Sequence, residues 1–174
     1  MSEPDQRMLL HDVADRLNGV SDCLPLPDQL GPHPAVGEVL DDEVRNLARL
    51  LTFLSGETAF RHRATARSLR RPQTPNRRVA LALARAAQPT GAALAALGDA
   101  VHRLGVLIDL THHAAGPGHA QATEVARQAL VDSVASARGH LAHAARQLRT
   151  TADAPTASAA AALPAPSPAS SRTR

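Results

Sequence analysis

Residues 61–78 hold seven arginines and no acid: Arg61, Arg63, Arg67, Arg70, Arg71, Arg77 and Arg78. Guanidinium forks match the oxygens of phosphates and carboxylates, and a cluster of them releases counterions on meeting nucleic acid. The chemistry such a run offers is anion binding. Two features weigh against nucleic acid as the anion. Only Phe60, at the edge of the run, could stack on a base, and no zinc-finger or RNA-binding signature accompanies it. Cations at a helix C-terminus are also ordinary complements of its dipole, and the acids of residues 1–60 are available to pair with them.

The histidines offer a second chemistry. Asp99-x-x-His102 and Asp109-x-x-His112, followed by His113, have the carboxylate-x-x-histidine spacing of metal sites in helical bundles. Facing decides against a site. If Leu97, Val101, Leu104 and Ile108 point inward, Asp99, His102, Asp109 and His113 fall on the outer surface. The other helices supply no matching Glu-x-x-His pair. His140 and His143 lie one turn apart and read as a solvated face, so no metal and no cofactor is expected.

Cys23 is the single cysteine, beside prolines, and a lone cysteine is usually a small buried apolar group. Nothing local would lower its pKa. His-Glu-x-x-His, Gly-x-Ser-x-Gly and a phosphate-binding glycine loop are all missing from the sequence. No catalytic residue stands out, and an enzyme is not expected. Phe53 and Phe60, the only aromatics, lie seven apart, off the main apolar seam of their helix. They read as cover for helix 1 or the crossover after it, with anchors for a partner as the alternative.

Composition says what must position these groups. Among 174 residues there are 36 alanines, 23 leucines and 19 arginines, with no lysine, tryptophan or tyrosine. Alanine, leucine and arginine are strong helix formers, whereas the β-branched and aromatic residues of sandwiches and barrels are scarce. Arginine in place of lysine also fits the coding bias of a GC-rich genome. One cysteine excludes a disulfide framework within the chain. The sequence pI of about 10.8 is misleading. With no lysine or tyrosine, little but Cys23 titrates between histidine and arginine, and the net charge is only +3. That charge is unevenly spread: residues 1–60 carry net −7 and residues 61–78 net +7.

Apolar spacing predicts four helices. Leu10, Val13, Leu17, Val20 and Leu24 make one stripe over about 4–22. Pro25, Pro27, Pro32 and Pro34 make 25–34 an extended crossover. Leu40, Val44, Leu47, Leu51, Leu54 and Thr58 step by four and three within a helix over 35–71. Thr74-Pro75 is a strong helix start. From there Leu83, Ala87, Thr90, Leu94, Leu97, Val101, Leu104, Ile108 and Thr111 alternate four and three along 75–115, where Pro89 should kink or split the helix. Gly116-Pro117-Gly118 turns the chain into a last helix over 119–151, with Leu130, Val134, Ala137, Leu141, Ala144 and Leu148 inward. Residues 153–174 read as a disordered Ala/Pro/Ser tail.

The expected fold is all-α: an antiparallel up-and-down bundle of one short and three long helices, residues 1–152, with coiled-coil-like packing. The acidic opening Met-Ser-Glu-Pro-Asp lacks the basic start and apolar run of a signal peptide, and the longest convincing uncharged apolar stretch, 86–98, is short for a membrane span. A cytoplasmic chain without membrane contact is expected. The expected role is a non-catalytic interaction or scaffold protein, acting through a helix face or as a homo-oligomer. The alternative is an accessory nucleic-acid-binding protein using the arginine tip at 61–78.

Overall fold

The computed structural model describes residues 3–67, 74–113, 116 and 118–155, and all its regular structure is helical. The helices are α1 (Glu3–Cys23), α2 (Pro34–Arg67), α3 (Thr74–His113) and α4 (His119–Asp153). Each boundary that the described residues cover falls within two residues of its sequence expectation. The expected ends at 68–71 and 114–115, and residues 156–174 of the expected tail, lie outside the described residues.

Cross-links fix the topology. Arg149 bonds Asp15 at 2.6 Å and His11 meets Asp153 at 3.1 Å, so α1 runs antiparallel to α4. Arg103 reaches Ser133 and Arg78 reaches Thr151, so α3 and α4 are antiparallel too. The Gly37 backbone lies against Leu104, which places the start of α2 beside the far end of α3. Along the bundle, α1 packs on α4, α4 on α3 and α3 on α2. The circuit closes only weakly between α1 and α2.

The short helix owes its end to a neighbour. No basic residue stands in the last turn of α1. Instead Arg138 of α4 donates from Nη2 to the carbonyls of Leu24 at 2.6 Å and Pro25 at 3.2 Å. This supplies the positive charge that helix-terminal carbonyls attract. The crossover is not extended throughout, as its prolines suggested. Leu26 and Gln29 exchange two hydrogen bonds of 2.9 Å across a turn, and Leu30 is buried in the core. A buried leucine anchors the strap, so its path follows the bundle end.

The apolar stripes of α1 and α4 are buried as their spacing predicts. In α3 the register differs. Leu83, Thr90, Leu97 and Leu104 are buried, but their companions are Ala86, Ala93, Ala100 and Leu107, one residue before the predicted positions. Val101, predicted inward, is 43% exposed. The cause is geometric: the flank of α3 carrying the alanines is the one that meets α4, and small side chains let two long helices approach closely. The opposite flank faces α2 and is only partly covered.

Pro89 does not split α3, which is continuous from Thr74 to His113. Next to it the buried Thr90 hydroxyl donates to the Ala86 carbonyl at 2.8 Å. This helix contains the one stretch among the described residues apolar and long enough to cross a membrane, and its apolar face is the centre of the core. Beyond Leu107 and before Leu130, no described residue of α3 or α4 is buried, so the α3–α4 hairpin overhangs the bundle. Its return is the turn at Gly118, whose φ of 98° is a left-handed conformation that glycine adopts without a Cβ penalty. Near it Glu124 and Arg127 bond at 2.5 and 2.9 Å, which holds the Glu124 carboxyl below its ordinary pKa and the guanidinium above its own.

A tight α3–α4 approach predicts that Ala93→Leu destabilises the protein by about 1–3 kcal/mol through overpacking. Val101→Leu, on the half-open flank, should stay within about 0.5 kcal/mol of the parent. Urea unfolding followed by circular dichroism distinguishes the two.

Candidate functional site

The arginine run separates into residues with structural tasks and residues facing solvent. Arg61 is only 5% exposed, because the inward register of α2 continues past Leu54 and Thr58 onto it. Its guanidinium bonds Glu57 at 2.8 Å, one turn earlier. Arg61 is therefore a buried partner of an acid from the first sixty residues and is withdrawn from any surface patch. Arg78 is also engaged. Its Nη2 donates to the carbonyls of Thr151 and Ala154, both at 2.7 Å, and so caps the C-terminus of α4. Arg149, in the last turns of the same helix, turns to Asp15 of α1 instead.

Arg63, Arg67 and Arg77 remain exposed, with no ion pair among the described residues. Arg70 and Arg71 lie outside the described residues. A basic feature missed in the sequence sits nearby. A surface depression between α3 and α4 is lined by Arg85, His143, Arg146, Gln147, Thr150 and Thr151, with no acid among its walls. Its signal was the seven-residue step from Arg78 to Arg85, which puts both on the flank of α3 that meets α4.

Asp99, His102 and Asp109 are exposed, as their facing predicts, and so is His112; the side chain of His113 lies outside the described residues. Among the described residues no three His, Cys, Asp or Glu side chains gather in a metal-binding group. Cys23 is exposed at the end of α1, contrary to the buried position expected of it. The stripe of α1 closes with Leu24, so the cysteine one residue earlier turns out toward α2.

Phe53 and Phe60 do not cover α1 or the crossover. They are 43% and 61% exposed, while Leu54 beside them is fully buried. The weak contact between α1 and α2 leaves an open groove lined by Arg16, Gly19, Val20 and Cys23 on one side and Glu43, Asn46, Arg49 and Leu50 on the other. At helical spacing Phe53 and Phe60 continue the Asn46 row, and Val39, 37% exposed, begins it. Four residues seven apart thus share the outer flank of α2. The sequence held this signal in the step between the two phenylalanines, but Asn46 interrupts its apolar pattern.

Arg78→Ala removes two carbonyl partners and should cost about 1–3 kcal/mol in thermal or urea unfolding. Arg77→Ala, one residue away and facing solvent, should change stability by less than about 0.5 kcal/mol. Equal effects of the two would refute the capping role. Compared with known proteins, the chain matches no family model, no curated protein and no solved structure.

Proposed function

We propose that this protein is a non-catalytic interaction module whose working surface is the outer flank of α2 and the adjoining groove with α1. The observation that carries this reading is the exposure of both aromatics, Phe53 and Phe60, on one helix face. Aromatic side chains bring the most apolar area per residue and dominate the energetics of interfaces. A chain with two such residues and a core of leucine and alanine has no packing need to leave them in water.

A second reading, contact with the phosphates of a nucleic acid, draws on Arg63, Arg67 and Arg77 at one tip and on the Arg85–Arg146 depression beside it. The withdrawal of Arg61 and Arg78 into the fold weakens it, and Phe60 at the edge of the run is a single aromatic beside the exposed arginines, short of the series of rings on which successive bases stack.

Affinity capture from the native cell with the full chain, with and without nuclease, separates the readings. The interaction module retains its partners after nuclease, and Phe53→Ser with Phe60→Ser loses them while the helical circular dichroism is unchanged. Partners lost to nuclease, together with loss on replacing Arg67, Arg70, Arg71 and Arg77 by alanine, would instead establish nucleic-acid contact. Such binding must also weaken steeply with salt.

A further inference from the structure

The exposed flank of α2 is a second seam. Val39, Asp42, Asn46, Arg49, Phe53, Gly56, Phe60, Arg63 and Arg67 follow one another at alternating steps of three and four, and every one of them is exposed. That spacing forms a continuous stripe that a second helix can follow along its whole length. The stripe is not chemically uniform. It runs from an acid, Asp42, which Arg45 bonds at 3.1 Å on the surface, past Arg49 and two phenylalanines flanking a glycine, to two arginines.

The whole helix repeats this polarity. Residues 34–54 hold Glu38, Asp41, Asp42 and Glu43 against Arg45 and Arg49, net −2. Residues 55–67 hold Arg61, Arg63 and Arg67 against Glu57, net +2; the buried Arg61 pairs with Glu57, and the exposed charge is that of Arg63 and Arg67. A surface that is acidic at one end and basic at the other, with an apolar middle, is complementary to itself turned end for end.

We propose that this face pairs with the same face of a second copy of the chain, the two α2 helices antiparallel about a two-fold axis level with residues 54–55. The inference rests on the interaction reading of α2 given above and names its partner. In this register every seam residue from 42 to 67 meets another seam residue. Asp42 faces the partner's Arg67, and Asn46 faces the partner's Arg63. Arg49 lies over the ring of the partner's Phe60, a cation–π arrangement. Phe53 enters the notch at the partner's Gly56, where a Cβ would meet nothing within 4 Å. The incoming helix also rests on the α1 side of the groove at Gly19, which is equally open.

The alternatives are electrostatically poorer. Sliding one heptad one way sets Arg49 against the partner's Arg67. Sliding the other way sets Asp42 against the partner's Phe60. A parallel pair stacks Asp42, Arg63 and Arg67 on their own counterparts. Self-complementarity about a two-fold axis is the condition for a closed dimer, and the antiparallel register meets it without exposing a further copy of the patch.

Sedimentation velocity on the purified full chain, over a concentration series at low salt, tests the pairing. The mass should rise from one chain to two. Phe53→Glu should raise the dissociation constant at least about tenfold, with the helical spectrum intact. Asp42→Arg and Arg67→Asp should each weaken the dimer, and the two together should restore it. In a Cys23→Ser background, Asp42→Cys combined with Arg67→Cys should oxidise to a covalent dimer, while Asp42→Cys alone should not. A monomer at every concentration overturns the proposal, as does a dimer indifferent to Phe53→Glu or one trapped by Asp42→Cys alone. If the chain is monomeric by itself yet still captures a different protein through Phe53 and Phe60, self-pairing fails and the interaction surface stands. If Phe53 and Phe60 matter to neither measurement, the surface itself is refuted.

Discussion

The close approach of α3 and α4 governs the rest of the structure. Forty and thirty-five residues long, these helices bury Ala86, Ala93 and Ala100 on one side and Ala137 and Ala144 on the other. Alanine contributes little apolar area for each residue buried. The pair therefore needs length to be stable, and length is what leaves its hairpin overhanging the other helices. The same economy explains where leucine is placed. Leu83, Leu97 and Leu104 of α3 and Leu130, Leu141 and Leu148 of α4 fill the middle, and α1 and α2 add their own leucines from the flanks. With α2 held mainly by α3 and α1 mainly by α4, the seam between α1 and α2 is left thin. That open edge is where the exposed phenylalanines stand.

Arginine supplies most of the long-range polar order. Arg138 ends α1, Arg78 ends α4 and Arg149 ties α4 to α1 through Asp15. A guanidinium can reach two carbonyls at once from a neighbouring helix, which a lysine ammonium does less well because its donors are not held in a planar fork. Coding bias can enrich arginine without deciding where it goes. Here two, Arg78 and Arg138, are placed on terminal carbonyls. The charge run that looks in sequence like a nucleic-acid patch is thus partly an internal device, and only its solvent-facing members can meet another molecule.

Helix number, helix ends and the stripes of α1 and α4 were legible because each of those helices buries one narrow face against its neighbours. The stripe of α3 was legible only to within one residue. Leucine weighs more than alanine in any apolar pattern, so Leu94, Val101 and Ile108 drew the seam toward the α2 side, while the closest packing is made by alanines. Burial of Arg61 was hidden for the opposite reason: it sits in the inward register, but a charged residue ends an apolar pattern on paper even when an acid at Glu57 meets it in three dimensions. Capping by Arg78 and Arg138 could not be read at all, since the contacts join positions 76 and 114 residues apart. The outer flank of α2 was half legible, through the step from Phe53 to Phe60. Its reach back to Asn46 and Val39 depended on knowing that α1 leaves that flank open.

The bond from Arg138 to the Leu24 carbonyl has a kinetic side. The α3–α4 hairpin closes through a turn of a few residues and forms mostly local contacts, which favours early assembly. The N-terminal helix has its terminus completed by a guanidinium more than a hundred residues downstream, across a loop whose closure is entropically expensive. The part of the chain that is synthesised first is then among the last to settle. Until it does, its leucine stripe and the matching leucines of α4 stay uncovered, and the interval before docking is when the chain is most open to sticking to its neighbours.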